Sequence, residues 1–257
     1  MQQAAVIITR PAAQAGEFAR KVQAIGRRAE LFPLLEIHAL TDYAGLDSQL
    51  ARLHDYALVA FVSPNAIDAV FSRIPCWPRQ LPIAVMGAGS RTALAAHGID
   101  DSNAKIISPS NTERTDSETL LDELDLAALR DKKVLIVRGE TGRELLADAL
   151  RERGIEVVQL AAYRRAAPTF DDRRRRQLRD FLERENDWVV TSSEALRTLL
   201  EWAGDLQLEG GVAKMQRQHL IVPHTRIAET AKTLGFPFIT LTGSGDEHVL
   251  VALQSRL

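Results

Sequence analysis

The sequence predicts an α/β protein of two similar lobes, each a parallel sheet flanked by helices, and two observations carry that prediction. Short runs rich in Val and Ile alternate with amphipathic segments of Ala, Leu, Arg and Glu, the pattern of βα units on a parallel sheet. The chain also repeats itself. Val6-Ile7-Ile8-Thr9 ends at Arg10, with Gly26 sixteen residues on; Lys133-Val134-Leu135-Ile136-Val137 ends at Arg138, with Gly154 sixteen residues on. Phe61-Val62-Ser63-Pro64-Asn65-Ala66-Ile67 recurs as Val190-Thr191-Ser192-Ser193-Glu194-Ala195-Leu196. Ile83 to Ile99 recurs without gaps as Leu220 to Phe236, placing Gly98 on Gly235. A weaker fourth match sets Ile106-Ile107 before Glu118–Leu124 against Ile239-Thr240-Leu241 before Glu247–Leu253. Four units, A to D, thus run twice in the same order, as a tandem duplication would leave them. At 257 residues the chain has room for two small domains, and a cleft between two lobes is where small ligands usually bind.

Each element follows from local chemistry. After the strand Val6–Thr9, Pro11 stands where a helix readily begins. Phe18, Val22 and Ile25, four and three apart, form its apolar stripe. Gly26 ends the helix, and a second strand starts near Ala29. Leu31 to His38, with Pro33, is extended and fits no βα unit; residues 33–41 are expected to be a linker strand. The second A unit reads the same way, with Leu145, Leu146, Ala149 and Leu150 facing inward and Gly154 closing the helix. Val157 to Arg165, followed by Pro168, forms a second linker strand within 155–170. The Arg173–Arg176 run lies on a helix expected from Asp171 to Glu185 and reads as a solvated face. Periodicity alone does not say which A unit packs with which B-C-D set. Because both linkers follow an A unit, an exchange is expected: residues 1–32 join 171–257 in one lobe, and 42–154 form the other.

Composition excludes several classes. With 46% hydrophobic residues there is material for two ordinary cores. A net charge of −2 gives no overall field favouring nucleic acid or an anionic membrane. One cysteine, Cys76, rules out an internal disulfide and fits a reducing compartment. Met1-Gln2-Gln3-Ala4-Ala5 has no basic n-region, so no signal peptide is expected. No apolar stretch approaches the roughly 20 residues of a membrane helix. A soluble, cytoplasmic protein is expected.

In parallel sheets, ligands bind beyond the carboxyl ends of the strands, near helix amino termini. The residues expected there are Arg10, Ser63-Pro64-Asn65, Gly87-Ala88-Gly89-Ser90, Arg138-Gly139-Glu140-Thr141-Gly142-Arg143, Thr191-Ser192-Ser193, His224-Thr225-Arg226 and Thr242-Gly243-Ser244-Gly245. Backbone N–H groups, hydroxyls and guanidinium forks of this kind suit carboxylates or phosphates. Simpler roles compete: Ser63, Ser192 and Thr225 as helix caps, and Arg10 and Arg138 as partners of nearby carboxylates. Gly87-Ala88-Gly89 is not a dinucleotide loop, because Thr92 stands at the third glycine position, and no mononucleotide Lys-Ser/Thr follows. The six histidines show no metal spacing, one cysteine builds no zinc site, and no Gly-x-Ser-x-Gly elbow is present.

These residues resemble the uroporphyrinogen-III synthases of porphyrin (tetrapyrrole) and heme biosynthesis. The matching pieces are Thr9-Arg10-Pro11, Phe32-Pro33-Leu34-Leu35-Glu36-Ile37, Arg138-Gly139 with Gly142-Arg143-Glu144-Leu145, Tyr163-Arg164 and Thr191-Ser192-Ser193, in the family's order and over essentially the whole chain. The resemblance implies lobes joined by a two-stranded antiparallel linker, and a lyase that cyclises hydroxymethylbilane with loss of water and inversion of ring D. It implies no cofactor and no metal. The substrate's eight carboxylates agree in sign with the arginines, hydroxyls and amides at the strand ends. Tyr163 matches the family tyrosine proposed to assist departure of the substrate hydroxyl; packing within the linker is its other reading. The substrate-binding set expected is Arg10, Ser63, Gly87, Arg138, Gly139, Arg143, Arg164, Thr191, Ser192, Ser193, Thr225 and Arg226. A departure stands at the last of these, where the family often has consecutive threonines and this chain has His224-Thr225-Arg226.

A monomer is expected, with transient contact to the hydroxymethylbilane synthase that supplies the substrate, and without nucleic acid or membrane partners. The competing class is a non-catalytic two-lobed binding protein for a small polyanionic ligand. A signalling receiver domain is disfavoured, because it wants clustered acidic residues at a strand end and these ends are basic or hydroxylic.

Overall fold

A computed structural model describes residues 4–110 and 117–255. Residues 1–3, 111–116 and 256–257, which the lobe and signal-peptide expectations include, lie outside the described residues. Eleven strands occur among those described. They are β1 Val6–Ile8, β2 Ala29–Leu31, β3 Glu36–His38, β4 Leu58–Phe61, β5 Ile83–Val85, β6 Ile106–Ile107 and β7 Lys133–Gly139. They continue with β8 Glu156–Ala166, β9 Asp187–Val189, β10 His219–Val222 and β11 Ile239–Leu241. The chain divides into two units, Met1–Glu36 with Ala166–Leu257, and Ile37–Arg165.

In the first unit the sheet order is β11-β10-β9-β1-β2, with every pair parallel. The first strand of the chain lies in its interior: Val6 is level with Ala29 of β2 on one side and with Asp187 of β9 on the other. An interior parallel strand is covered on both faces, which is why Val6, Ile7 and Ile8 are all fully buried. Their side chains alternate between two cores. Ile7 joins Phe32, Trp188 and Trp202, while Val6 and Ile8 join Phe18, Val22 and Val249. Numbered along the chain within the unit, the order is 2-1-3-4-5. That is a doubly wound sheet whose topological switch point falls between β1 and β9.

The second unit carries the order β3-β8-β7-β4-β5-β6. Apart from the flanking β3 it repeats the first arrangement, with β7 and β8 in the places that β1 and β2 hold there. β7 pairs in parallel with both β8 and β4, so the switch point lies between β7 and β4. A bulge interrupts the β7–β8 ladder: Arg138 opposes Ala161 but Gly139 opposes Tyr163, so the extra residue, Ala162, is on β8. The duplication read in the sequence is therefore visible as two sheets of one design.

Some details differ from expectation. The helix Ala12–Ala24 buries Ala15, Phe18 and Val22, and Ile25 is only its partly exposed carboxyl cap. The helix Leu145–Arg151 buries Leu146, Ala147 and Leu150, so its inward stripe runs through Ala147 and not Ala149. Gly26 and Gly154 both have left-handed backbones, at φ +80 and +76, and this is why glycine ends both helices. The helix Asp172–Leu182 is shorter than predicted, and only part of its arginine run is solvated. Arg174 donates to the Pro33 carbonyl at 3.0 Å, and Arg175 donates to the Asp205 carbonyl while lying over the Phe170 ring.

Candidate active site

On either side of a switch point, the helices leaving adjacent strands go to opposite faces of the sheet and open a crevice at the strand ends. In the second unit that crevice is edged by Ser63 after β4 and by Arg138-Gly139 at the end of β7. Ser63 has an extended backbone and is followed by Pro64 at the first helical position, so the chain turns at once into the helix Pro64–Phe71. Its Oγ accepts from the Ala66 N–H at 3.2 Å. It also shares a hydrogen bond of 3.0 Å with the hydroxyl of Tyr163, which is only 6% exposed. The bulge sets Tyr163 opposite Gly139, where an added Cβ would lie 3.1 Å from ring atoms Cε2 and Cζ. Glycine at that position lets the ring lie across the strand end.

Arg138 is buried beside this cluster. Its Nη1 donates to Glu144 Oε1 at 2.6 Å and to the Gln159 side chain, and Gln159 in turn donates to the other oxygen of Glu144. The Glu144 carboxyl is held below its ordinary range, first by the Gln159 hydrogen bond and then by the Arg138 guanidinium. The guanidinium fills the space over Gly142, where a Cβ would come within 2.6 Å of Nη2. Three expected residues of this unit stand apart. Gly87 heads the helix Ala88–Ala96 after β5, Arg143 reaches Glu118 at 3.5 Å, and Arg164 is exposed on the face of β8 opposite to Tyr163.

In the first unit, Arg10 follows β1 and pairs with Asp246 at 2.5 Å while lying 4.3 Å over the Phe18 ring. Lys21 shares the same carboxylate at 3.3 Å. Burial pushes the Asp246 carboxyl up, but the Arg10 hydrogen bond and charge, with those of Lys21, outweigh this and hold it below its ordinary range. Across the switch point, Ser192 Oγ accepts from the N–H groups of Glu194 and Ala195, and buried Ser193 accepts from the Thr230 hydroxyl at 3.1 Å. Thr191 precedes them and is partly exposed. Thr225 and Arg226 open the helix Thr225–Thr233 and are exposed; His224, before them, is hydrogen-bonded to Ser244 Oγ at 3.4 Å.

Both Ser63 and Ser192 are thus helix caps, and both repeated arginines have carboxylate partners of their own. A capping hydroxyl accepts one N–H and keeps its own proton to donate, so capping and ligand binding are compatible. Sequence reading missed Glu144, Gln159 and Asp246. The signal for Glu144 was its place six residues after Arg138; Gln159 and Asp246 are met only through the sheet and through the packing of the last helix. Among the described residues there is no cluster of His, Cys, Asp and Glu that would hold a metal ion, and no helix long and apolar enough to cross a membrane.

Comparisons with known proteins agree on one family. The sequence model described as uroporphyrinogen-III synthase HemD matches residues 16–241. The uroporphyrinogen-III synthase of Escherichia coli (strain K12) is 32% identical over 97% of this chain and 99% of its own length. That of Salmonella typhimurium is 31% identical over 97% and 99%. Among solved structures, a mutant uroporphyrinogen III synthase of the extremely thermophilic bacterium Thermus thermophilus aligns with a TM-score of 0.62 at 16% identity, over 99% of this chain and 98% of that one. That last likeness speaks for the fold.

Proposed function

Because this chain belongs to the uroporphyrinogen-III synthase family, we propose that groups at the strand ends of both units bind the carboxylates of its substrate, while Tyr163 of the second unit transfers the proton. The activity is closure of hydroxymethylbilane to uroporphyrinogen III, with loss of water and inversion of ring D. The chain is accordingly a lyase of porphyrin and heme biosynthesis. Membership of a catalytic family removes the ground for a non-catalytic binding protein.

The observation that carries the division is the Tyr163 phenol, buried at the strand end of the second unit and hydrogen-bonded to a helix cap. Departure of the substrate hydroxyl needs a proton on its oxygen. In this reading the C–O bond breaks as the Tyr163 proton passes to that oxygen, which leaves as water. Ring D attacks the resulting azafulvene through a spiro intermediate, and the proton lost on rearomatisation restores the balance. The hydroxymethyl group leaves readily, so holding ring D for the inverted attack is a large share of the task.

Carboxylates fall to the remaining groups. Thr191, Ser192, Ser193 and Thr225 stand at helix heads, where hydroxyls and backbone N–H groups favour anions. Ser63 heads another such helix, Pro64–Phe71, and contributes its backbone end there while its hydroxyl is engaged with Tyr163. Gly87, at the head of the helix Ala88–Ala96, lets the backbone come close to the ligand, whereas Gly139 acts through the Tyr163 ring that covers it. Arg143, Arg164 and Arg226 supply exposed charge. Arg10 and Arg138 are held in place by Asp246 and Glu144, and a substrate carboxylate competes with those partners. The same reading makes the protein a cytoplasmic monomer, in line with its single cysteine. It receives substrate through transient contact with hydroxymethylbilane synthase, because the free substrate closes unaided to the type I isomer.

The test is to supply hydroxymethylbilane and resolve the porphyrin isomers after oxidation. Type III well above the spontaneous type I is expected. Type I alone would make the chain a binding module.

A further inference from the structure

The hydroxyl of Tyr163 does not hang free at the strand end. Ser63 Oγ stands 3.0 Å from it, and that oxygen is itself fixed by the Ala66 N–H at 3.2 Å. The ring is fixed from the other side, because the β8 bulge sets it across Gly139 with no room for a Cβ that would not press on Cε2 and Cζ. The phenol oxygen is therefore aimed at the head of the helix Pro64–Phe71, from a residue 100 positions away in the chain. We propose that Ser63 is a positioning residue for Tyr163, holding the phenol through the chemical step, and that Gly139 is the second half of the same device. This rests on the assignment of proton transfer to Tyr163.

The chemistry follows from the donor inventory. Ser63 Oγ spends one lone pair on the helix cap and keeps its proton. As Tyr163 gives its proton to the departing hydroxyl, its oxygen gains negative charge. The Ser63 O–H can then donate to that oxygen, close to helix N–H groups that favour an anion. An interaction that strengthens only as charge develops raises turnover more than it changes substrate binding.

A double-mutant cycle tests this on the full-length enzyme with hydroxymethylbilane as substrate. Ser63→Ala should lower kcat by roughly tenfold, with KM changed less than about twofold, the signature of an interaction made in the transition state. In a Tyr163→Phe background, Ser63→Ala should cost nothing further, since the phenol through which Ser63 acts is gone. Ser63→Thr keeps the hydroxyl and should restore turnover. Loss of the helix cap is the competing explanation, and Gly139→Ala separates it. That change leaves the cap intact but presses the ring away from Ser63, so it should reproduce the fall in kcat. If the Ser63→Ala loss persists undiminished in the Tyr163→Phe background, Ser63 acts on substrate or fold directly and the proposal is overturned, with the role of Tyr163 left standing. Wild-type turnover by Tyr163→Phe alone would remove that role, and the positioning role with it. Full turnover by Gly139→Ala would overturn the two-sided device.

Discussion

Single residues carry most of the binding account. Arg138 is buried, with its guanidinium shared among Glu144, Gln159 and the space over Gly142, and it shapes the loop at the end of β7. Arg173 is exposed on the helix Asp172–Leu182. A hydrogen bond to a charged group is worth about 1.5–3 kcal/mol, against about 0–1 kcal/mol for a surface charge. Arg138→Ala should therefore raise KM for hydroxymethylbilane by about tenfold or more, and Arg173→Ala should leave it within about twofold. Equal effects in steady-state kinetics would contradict the assignment. Asp246 gives a pH prediction. Its folded-state carboxyl titrates below the ordinary range, so its contribution to stability is fully present above the unfolded-state value and is lost as pH falls through the folded one. Asp246→Asn should accordingly be less stable than the parent at neutral pH, with the gap in melting temperature closing under acid, below about pH 4. A gap that stays constant from neutral pH down to acid would show that the Arg10–Asp246 pair is not its source.

Elements explain what the sequence made legible and what it hid. Strands were legible because a buried parallel strand must be apolar on both faces, and Val6-Ile7-Ile8 and Val134-Leu135-Ile136-Val137 are. Helix ends were legible at Gly26 and Gly154, because the left-handed turn there leaves little choice of residue. Ser63 and Ser192 were legible as helix starts for a different local reason, the hydroxyl that accepts from the first free N–H groups of the helix. The contacts that make the site were hidden, because they are made across strands and not along them. Tyr163 meets Ser63 and Gly139 only through the register of β8 on β7, and a one-residue bulge decides which side chain arrives there. Phe32 is another such case: at the very edge of the stretch assigned to its lobe, it forms edge-on contacts with Phe181, Trp188 and Trp202, at centroid distances of 5.6, 6.1 and 5.8 Å. It ties the first βαβ segment to the carboxy-terminal part of its own unit. Phe32→Ala should cost about 3–5 kcal/mol, read as a lower midpoint in chemical denaturation. A loss under about 1 kcal/mol would mean that the cluster repacks around the gap.

At the scale of the whole chain, the two units differ in how they are strung. Residues 37–165 form one continuous segment containing both of its core clusters. The other unit needs the amino-terminal segment, since β1 lies between β2 and β9 and lends Ile7 and Ile8 to its two cores. A fragment of residues 37–165 should unfold cooperatively on heating, followed by circular dichroism, and a fragment of residues 166–257 should not. A cooperative transition in the latter would mean that β1 is dispensable. The central claim is that the carboxyl ends of both sheets, at their switch points, take the substrate. The first unit also has a pocket of about 500 Å³ at the opposite end of its sheet, lined by Arg28, Glu30, Asp180 and Arg184 among others. Amide hydrogen exchange with and without uroporphyrinogen III, under anaerobic conditions, distinguishes the two ends most directly. The account predicts slowed exchange at residues 63–66, 139–144 and 191–195, with residues 28–30 and 180–186 unchanged. Slowed exchange confined to residues 28–30 and 180–186 would contradict it.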